Sequence, residues 1–279
     1  MAATGTVVRE RIESRALRDN PLGDPAERDL FVYLPPQYAT RTAARFPVVL
    51  VLTGFTGIGE NPWQRGFFGE ALQERMDRLI RTRKTPPMIL ATPDCITALG
   101  GSQYIDSPAV GRYETFVVKE VVPYLDAHFR TRAAPASRAV CGKSSGGYGA
   151  LVLGMRHPGV FGALASHSGD AYFDYCYRLD FVKCWNALRA AGGVLPWLAA
   201  FRKKPKPSGD DIHTLNIVAM AACYSPVADE PGGFALPFDL VTGEERADVM
   251  RRWRRHDPVE MARRHTRALR GMRGIFLDC

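Results

Sequence analysis

Along the first 170 residues, short apolar runs alternate with longer stretches of mixed polarity. Residues 48–52 read Val-Val-Leu-Val-Leu, a continuous run that predicts a strand covered on both faces of a parallel sheet. Residues 86–93 predict a second buried strand, and residues 137–141 and 161–166 two more. Residues 6–17 mix Val and Ile with charges and read as an edge strand; residues 29–34 form another, stopped by Pro35-Pro36. Between the strands the period lengthens. Leu72, Met76, Leu79 and Ile80 recur at helical spacing, as do Val117, Val121, Tyr124 and Leu125, although Pro123 weakens that helix. Tyr148, Leu151, Val152 and Met155 give residues 146–157 an apolar helical face. Strands alternating with helices predict an α/β fold: a mostly parallel sheet with helices on both faces.

The rhythm breaks near Gly169. Residues 170–240 are rich in aromatics, Pro and Gly, with residues 203–209 as an exposed loop, and predict a helical cap or lid inserted into one domain spanning residues 1–279. The aromatics Tyr172, Phe173, Tyr175, Tyr177, Phe181, Trp185 and Trp197 suit an apolar acyl- or aryl-binding wall, or plain packing of the cap. Asp257-Pro258-Val259-Glu260 then predicts an N-cap, a proline at N1 and a glutamate at N3, opening a helix that runs to Gly271. A strand starts at Gly274.

Composition narrows this reading. The 279 residues suffice for one large α/β domain, and no apolar run reaches the length of a membrane span. The polar N-terminus lacks the apolar core of a signal peptide, so a cytoplasmic protein without membrane association is expected. Six scattered cysteines show no CxxC pair and no Cys/His metal spacing, and read as reduced thiols with no metal site. The formal charge of +8 is densest at residues 250–273, which hold nine arginines and two histidines. Without an accompanying nucleic-acid motif this reads as a solvated helical face, and no nucleic-acid partner is expected.

The chemistry lies in Ser137-Arg-Ala-Val-Cys-Gly-Lys-Ser-Ser-Gly-Gly-Tyr-Gly-Ala150. Gly142-Lys143-Ser144-Ser145-Gly146 is G-x-S-x-G between a strand and a helix, the pattern of a nucleophile elbow. A strand that turns sharply into a helix with serine at its apex crowds the backbone, and glycines two before and two after relieve the crowding. The hydroxyl of Ser144 is then exposed above the carboxyl ends of the strands, at a helix N-terminus that favours developing negative charge. The Ser145 N–H is one expected oxyanion donor; the second comes from Thr53-Gly54-Phe55-Thr56-Gly57, with Phe55 first and Gly54 second. Competing readings are a P-loop end, which lacks its first glycine at Ser137, a simple glycine-rich connection, and Ser145 as nucleophile off the glycine spacing. His167 and Asp170 follow a strand and belong on the active edge, as pocket residues or, for Asp170, an alternative acid.

These stretches resemble the putative esterase family of α/β-hydrolases, which has esterase D-like, enterochelin-esterase-like, feruloyl-esterase-like and mycolyltransferase-like members. The resemblance rests on LTGFTG, PDC at Pro93-Asp94-Cys95, GGSQYIDS at residues 100–107, residues 111–131, CGKSSGGYGAL, SHSGDAYFDYCY at residues 166–177 and the ending HDPVEM…GIFLDC. It implies an α/β-hydrolase fold and a serine hydrolase of small-molecule carboxylic esters acting through an acyl-enzyme on Ser144, with no cofactor. Acyl transfer to an alcohol, or binding without catalysis, are the alternatives. In this fold the acid and histidine follow the nucleophile in chain order. The acid is expected just past the strand that begins at Gly274, leaving Asp278 as the candidate retained there, and the histidine later still. The domain is therefore expected to lack its last strand and helix, together with the triad acid and base.

Overall fold

The computed structural model describes residues 4–67 and 69–279. The first half runs β1 (Thr6–Glu13), β2 (Glu27–Leu34), α1 (Pro36–Thr40), β3 (Val48–Leu52), α2 (Leu72–Arg81) and β4 (Ile89–Pro93). A small hairpin, β5 (Asp106–Ser107) and β6 (Gly111–Arg112), leads into α3 (Tyr113–Thr115) and α4 (Val122–His128). Next come β7 (Arg138–Lys143), α5 (Ser145–Arg156) and β8 (Ala163–His167). The excursion that follows holds α6 (Phe173–Cys176), α7 (Phe181–Ala190), α8 (Val194–Phe201), α9 (Gly209–Tyr224), α10 (Ala247–His256), α11 (Pro258–Arg264) and α12 (Thr266–Arg270) before β9 (Gly274–Asp278).

Seven strands form one sheet in the order β1-β2-β4-β3-β7-β8-β9. β1 and β2 are antiparallel to their neighbours, and the other five run parallel, with β3 and β7 in register from Val48↔Arg138 to Leu52↔Gly142. This is the mostly parallel sheet that the alternating runs imply, and every carboxyl end of the parallel strands faces one edge.

The two faces are covered unequally. On one face Leu50, Leu52, Val140 and Leu164 join a large core with α5 and the helices of the excursion, whose α11 and α12 pack directly on α5. On the other, α2 lays Met76 and Ile80 over Phe31, Tyr33, Leu90 and Trp63. That helix reaches only the first half of the sheet. Val49 and Val51 are therefore half-buried rather than enclosed as a continuous apolar run predicts, and all five residues of β9 are exposed. Phe276 on the bare side retains 60 % of its surface.

Three further elements depart from the sequence reading. Residues 116–121 wind as a π-helix that passes into α4, with Pro123 in the first turn of the α-helix that follows. Asp257 caps α11 by accepting from Val259 N–H, as its sequence predicts, but the helix stops at Arg264. There the His265 N–H and its Nδ1 both meet the Met261 carbonyl, α12 starts afresh, and Gly271 keeps an ordinary φ of −80°. His128 is exposed and stacks on Tyr124 with ring centres 3.9 Å apart. Eight of the nine arginines in residues 250–273 are exposed, and Arg254 reaches Asp174.

Candidate active site

At the end of β7 the backbone reverses at Ser144, whose φ of 55° and ψ of −124° lie where side-chain-bearing residues are rarely found. Its N–H donates to the His167 carbonyl (3.0 Å), tying the apex to the end of β8. The flanking glycines are required sterically. A Cβ on Gly142 would lie 2.4 Å from the Gly146 carbonyl group, and one on Gly146 would lie 2.1 Å from the Leu52 carbonyl oxygen. Ser144 serves as the N-cap residue of α5, and Ser145, 98 % buried, is that helix's first residue, so the dipole of α5 points at the apex.

The loop after β3 folds over this apex. A Cβ on Gly54 would stand 3.3 Å from the Lys143 carbonyl and 3.5 Å from Ser144 Cβ. Within the loop, Thr56 N–H donates to Gly100 O (2.8 Å) and Gly57 N–H to Gly54 O (2.9 Å), which leaves the Gly54 and Phe55 amides as the loop's donors beside the elbow. The Tyr104 hydroxyl donates to the Thr53 carbonyl (2.8 Å).

Beneath the apex lies a carboxylate. Gly169 packs backbone to backbone against Gly147 of α5, where neither has room for a side chain, and this close approach delivers Asp170 to the elbow. Ser144 Oγ donates to its Oδ1 at 3.4 Å. Its Oδ2 receives Ser145 Oγ (3.2 Å), Tyr177 OH (2.9 Å) and Gln103 Nε2 (3.2 Å). Burial pushes the Asp170 carboxyl above the usual range, and these four donors pull the other way.

His167 and Asp278 meet at the same edge. They are register partners at the ends of β8 and β9, with His167 Nδ1 2.6 Å from Asp278 Oδ1. Both line an open groove of about 570 Å³ with Gly54, Phe55, Lys143 and Phe276, on the side of the sheet that α2 leaves bare. Among the described residues no histidine hydrogen-bonds Ser144 Oγ. His157 joins Arg156 on Glu114, His213 meets Asp180, and His256 stacks on Tyr224. No group of three or more His, Cys, Asp or Glu side chains suited to a metal is found among the described residues.

The sequence-predicted residues thus fall into two clusters: Ser144, Ser145, Gly54, Phe55 and Asp170 at the apex, and His167 with Asp278 on the rim. The aromatics of residues 170–240 do not form a wall at the groove. Phe173, Tyr177, Phe181 and Trp197 are core residues, and Tyr172 and Tyr175 stack on each other at the surface. Only the Tyr177 hydroxyl enters the apex cluster. Gln103 was not singled out from the sequence; its one signal was membership of the Gly-Gly-Ser-Gln-Tyr turn.

A family model described as "Putative esterase" matches residues 25–269. Esterase Rv1288 of Mycobacterium tuberculosis (strain ATCC 25618 / H37Rv) is 40 % identical over 128 residues, 45 % of this chain and 28 % of that protein, so the match spans less than a third of that curated relative. An endo-1,4-beta-xylanase/feruloyl esterase of Xylanibacter ruminicola is 29 % identical over 150 residues, 50 % of this chain and 19 % of that protein. Among solved structures, a ferulic acid esterase superposes with a TM-score of 0.52 at 28 % identity, over 61 % of this chain and 60 % of that one. The fluorophosphonate-binding serine hydrolase FphF of Staphylococcus aureus superposes with a TM-score of 0.51 at 13 % identity, over 98 % and 78 %, and shares the fold. The family model spans the elbow, the loop over it and most of the excursion, and the chain belongs to the putative esterase family, built on the sheet of an α/β-hydrolase.

Proposed function

We propose that the chain carries the nucleophile of a serine hydrolase acting on small-molecule carboxylic esters. The observation that carries this reading is the strained apex at Ser144, held by two glycines that admit no side chain and covered by a loop with amides beside it. Ser144 Oγ attacks the ester carbonyl carbon while its proton passes to a base. The Ser145 amide and that of Phe55, or of Gly54, receive the oxyanion. The carbon–alkoxy bond then breaks, the leaving alkoxide takes the proton, and water cleaves the resulting acyl-enzyme. Residues 170–240 act as a cap in this reading, closing the side of the site where Asp170 enters.

Because no histidine bonds Ser144 Oγ among the described residues, the reading assigns the apex and oxyanion half of the machinery here, and little turnover without a base. A second reading is favoured by the His167–Asp278 pair: it is an imidazole already oriented by a carboxylate, on the edge that carries Ser144.

A fluorophosphonate probe with excess reagent, followed by peptide mass spectrometry, tests both. Slow modification at Ser144 that disappears in Ser144→Ala and persists in Ser145→Ala is expected; modification of Ser145 instead would sink the assignment. If p-nitrophenyl acetate turnover is appreciable and falls by at least about a hundredfold in His167→Ala, the rim pair is the base.

A further inference from the structure

We propose that the turn at residues 100–104 is the gauge that spaces the nucleophile from the oxyanion loop, with Gln103 and Tyr104 as its positioning residues. The inference rests on the reading of Ser144 as nucleophile. Gln103 and Tyr104 are consecutive, carry full side chains and both sit at positive φ, 53° and 54°, a conformation that such residues seldom adopt even singly. Both are buried, Gln103 completely. From this turn the two neighbouring side chains go to different partners.

Tyr104 goes to the oxyanion loop. Its hydroxyl donates to the Thr53 carbonyl at 2.8 Å and lies 3.2 Å from Thr53 Oγ1. The same turn receives Thr56 N–H on the Gly100 carbonyl, and the Phe55 ring fills the space where side chains on Gly100 and Gly101 would stand. The Tyr104 ring also braces α5, lying where a Cβ on Gly149 would come within 2.5 Å of it. Gln103 goes to the nucleophile. Its Nε2 donates to Asp170 Oδ2, whose carboxylate takes the hydroxyls of both Ser144 and Ser145. Tyr177 and Tyr224 hydroxyls, 3.1 and 2.9 Å from Nε2, fix the amide laterally. Gln103 Oε1 has no partner among the described residues. A buried amide with one end unsatisfied, on a strained backbone, is held for what its other end does. The two halves of the site come from β7–α5 and from the loop after β3, which are separate in sequence. This turn touches both.

The test is the fluorophosphonate reaction of the whole chain, read as two quantities: the rate constant of Ser144 modification and the final fraction modified. Gln103→Met, which keeps length and volume, and Tyr104→Phe, which keeps the ring, are each expected to slow the reaction about tenfold or more while the final fraction stays complete. Because they act on different halves, the two effects multiply in the double variant. In an Asp170→Asn background Gln103→Met adds little, since both act through one carboxylate. Should Gln103→Met melt below the assay temperature, Gln103→Asn, which draws the same amide back by one methylene, gives the same reading. Unchanged rate constants in both single variants overturn the proposal, as does a reduced final fraction at an unchanged rate, which marks a purely structural role. A wild-type chain unmodified at Ser144 overturns the assigned nucleophile itself, and the gauge with it; Ser144 modified at equal rates in all variants overturns the gauge alone.

Discussion

Gly146 shows how tightly single residues are specified at the apex. Its missing side chain faces the Leu52 carbonyl, a strand backbone that cannot yield without breaking the β3–β7 pairing. Gly146→Ala is expected to destabilise the chain by about 2 kcal/mol or more, read as a lower denaturant midpoint at constant slope, and to abolish Ser144 modification. This requirement was legible in the sequence because G-x-S-x-G encodes a purely local constraint: which neighbours of the serine can lack a Cβ. The partners of Asp170 were not legible. Gln103 and Tyr177, with the Tyr224 that holds Gln103, come from three segments more than forty residues apart, and nothing in their spacing announces that their polar ends converge. His167 and Asp278 were placed on the active edge by strand ends alone, whereas their contact depends on β8 and β9 being in register.

Single elements followed the hydrophobic pattern where one face decides the structure. α2 lies where Leu72, Met76 and Ile80 repeat, and β4 is buried throughout, as its apolar run implies. The pattern was silent on how helices break. The π-turns before Pro123 and the stop at His265 both keep the apolar stripe facing inward, so period alone does not register them. α10 shows a cost that only packing reveals. It ends in His256, half-buried and stacked on Tyr224, with its Nδ1 buried and unpartnered among the described residues. Burial first, and then the positive charge of Arg156, lowers its pKa from 6.5 to about 4. The folded state therefore binds this proton less readily than the unfolded chain. The stability contribution is complete above pH 6.5 and is lost as pH falls toward 4, amounting to about 3 kcal/mol at the lower limit. Thermal melts of wild type and His256→Gln at pH 7 and pH 4 should show a smaller acid-induced drop in the variant. Equal drops would mean that His256 titrates normally.

For the whole molecule, βα alternation was enough to foresee a parallel sheet with its active edge at the carboxyl ends, because each crossover must return to the same side. It did not show that the sheet is dressed on one face and half bare on the other, since burial of a strand depends on helices far away in the chain. The bare half has a consequence in solution. Ile275, Phe276 and Leu277 are 45 %, 60 % and 61 % exposed, on an edge strand whose outer side has no partner strand among the described residues. Such an edge is a template for pairing. The chain is expected to associate with increasing concentration in sedimentation velocity, and Leu277→Lys to shift it toward the monomer. A monomer at all concentrations for both would show that the edge is inert.

The order of the strands also sets a clock. β7 and β8 are neighbours in sequence and in the sheet, but β9 joins β8 only after the excursion of residues 168–273. At roughly 5–20 residues per second, a ribosome needs about 5 to 20 s to make that excursion. An interval of that length separates the emergence of β8 from that of β9; during it β3 and β7 are already out of the tunnel, and β8 offers an open apolar edge to anything nearby. Helices that form in microseconds can cover the α5 face early, so the face is protected long before the edge is. A nascent chain of this topology therefore stands for many seconds with its elbow strand built and its neighbour unpaired, the period in which a chaperone that binds extended apolar segments would have the most to hold.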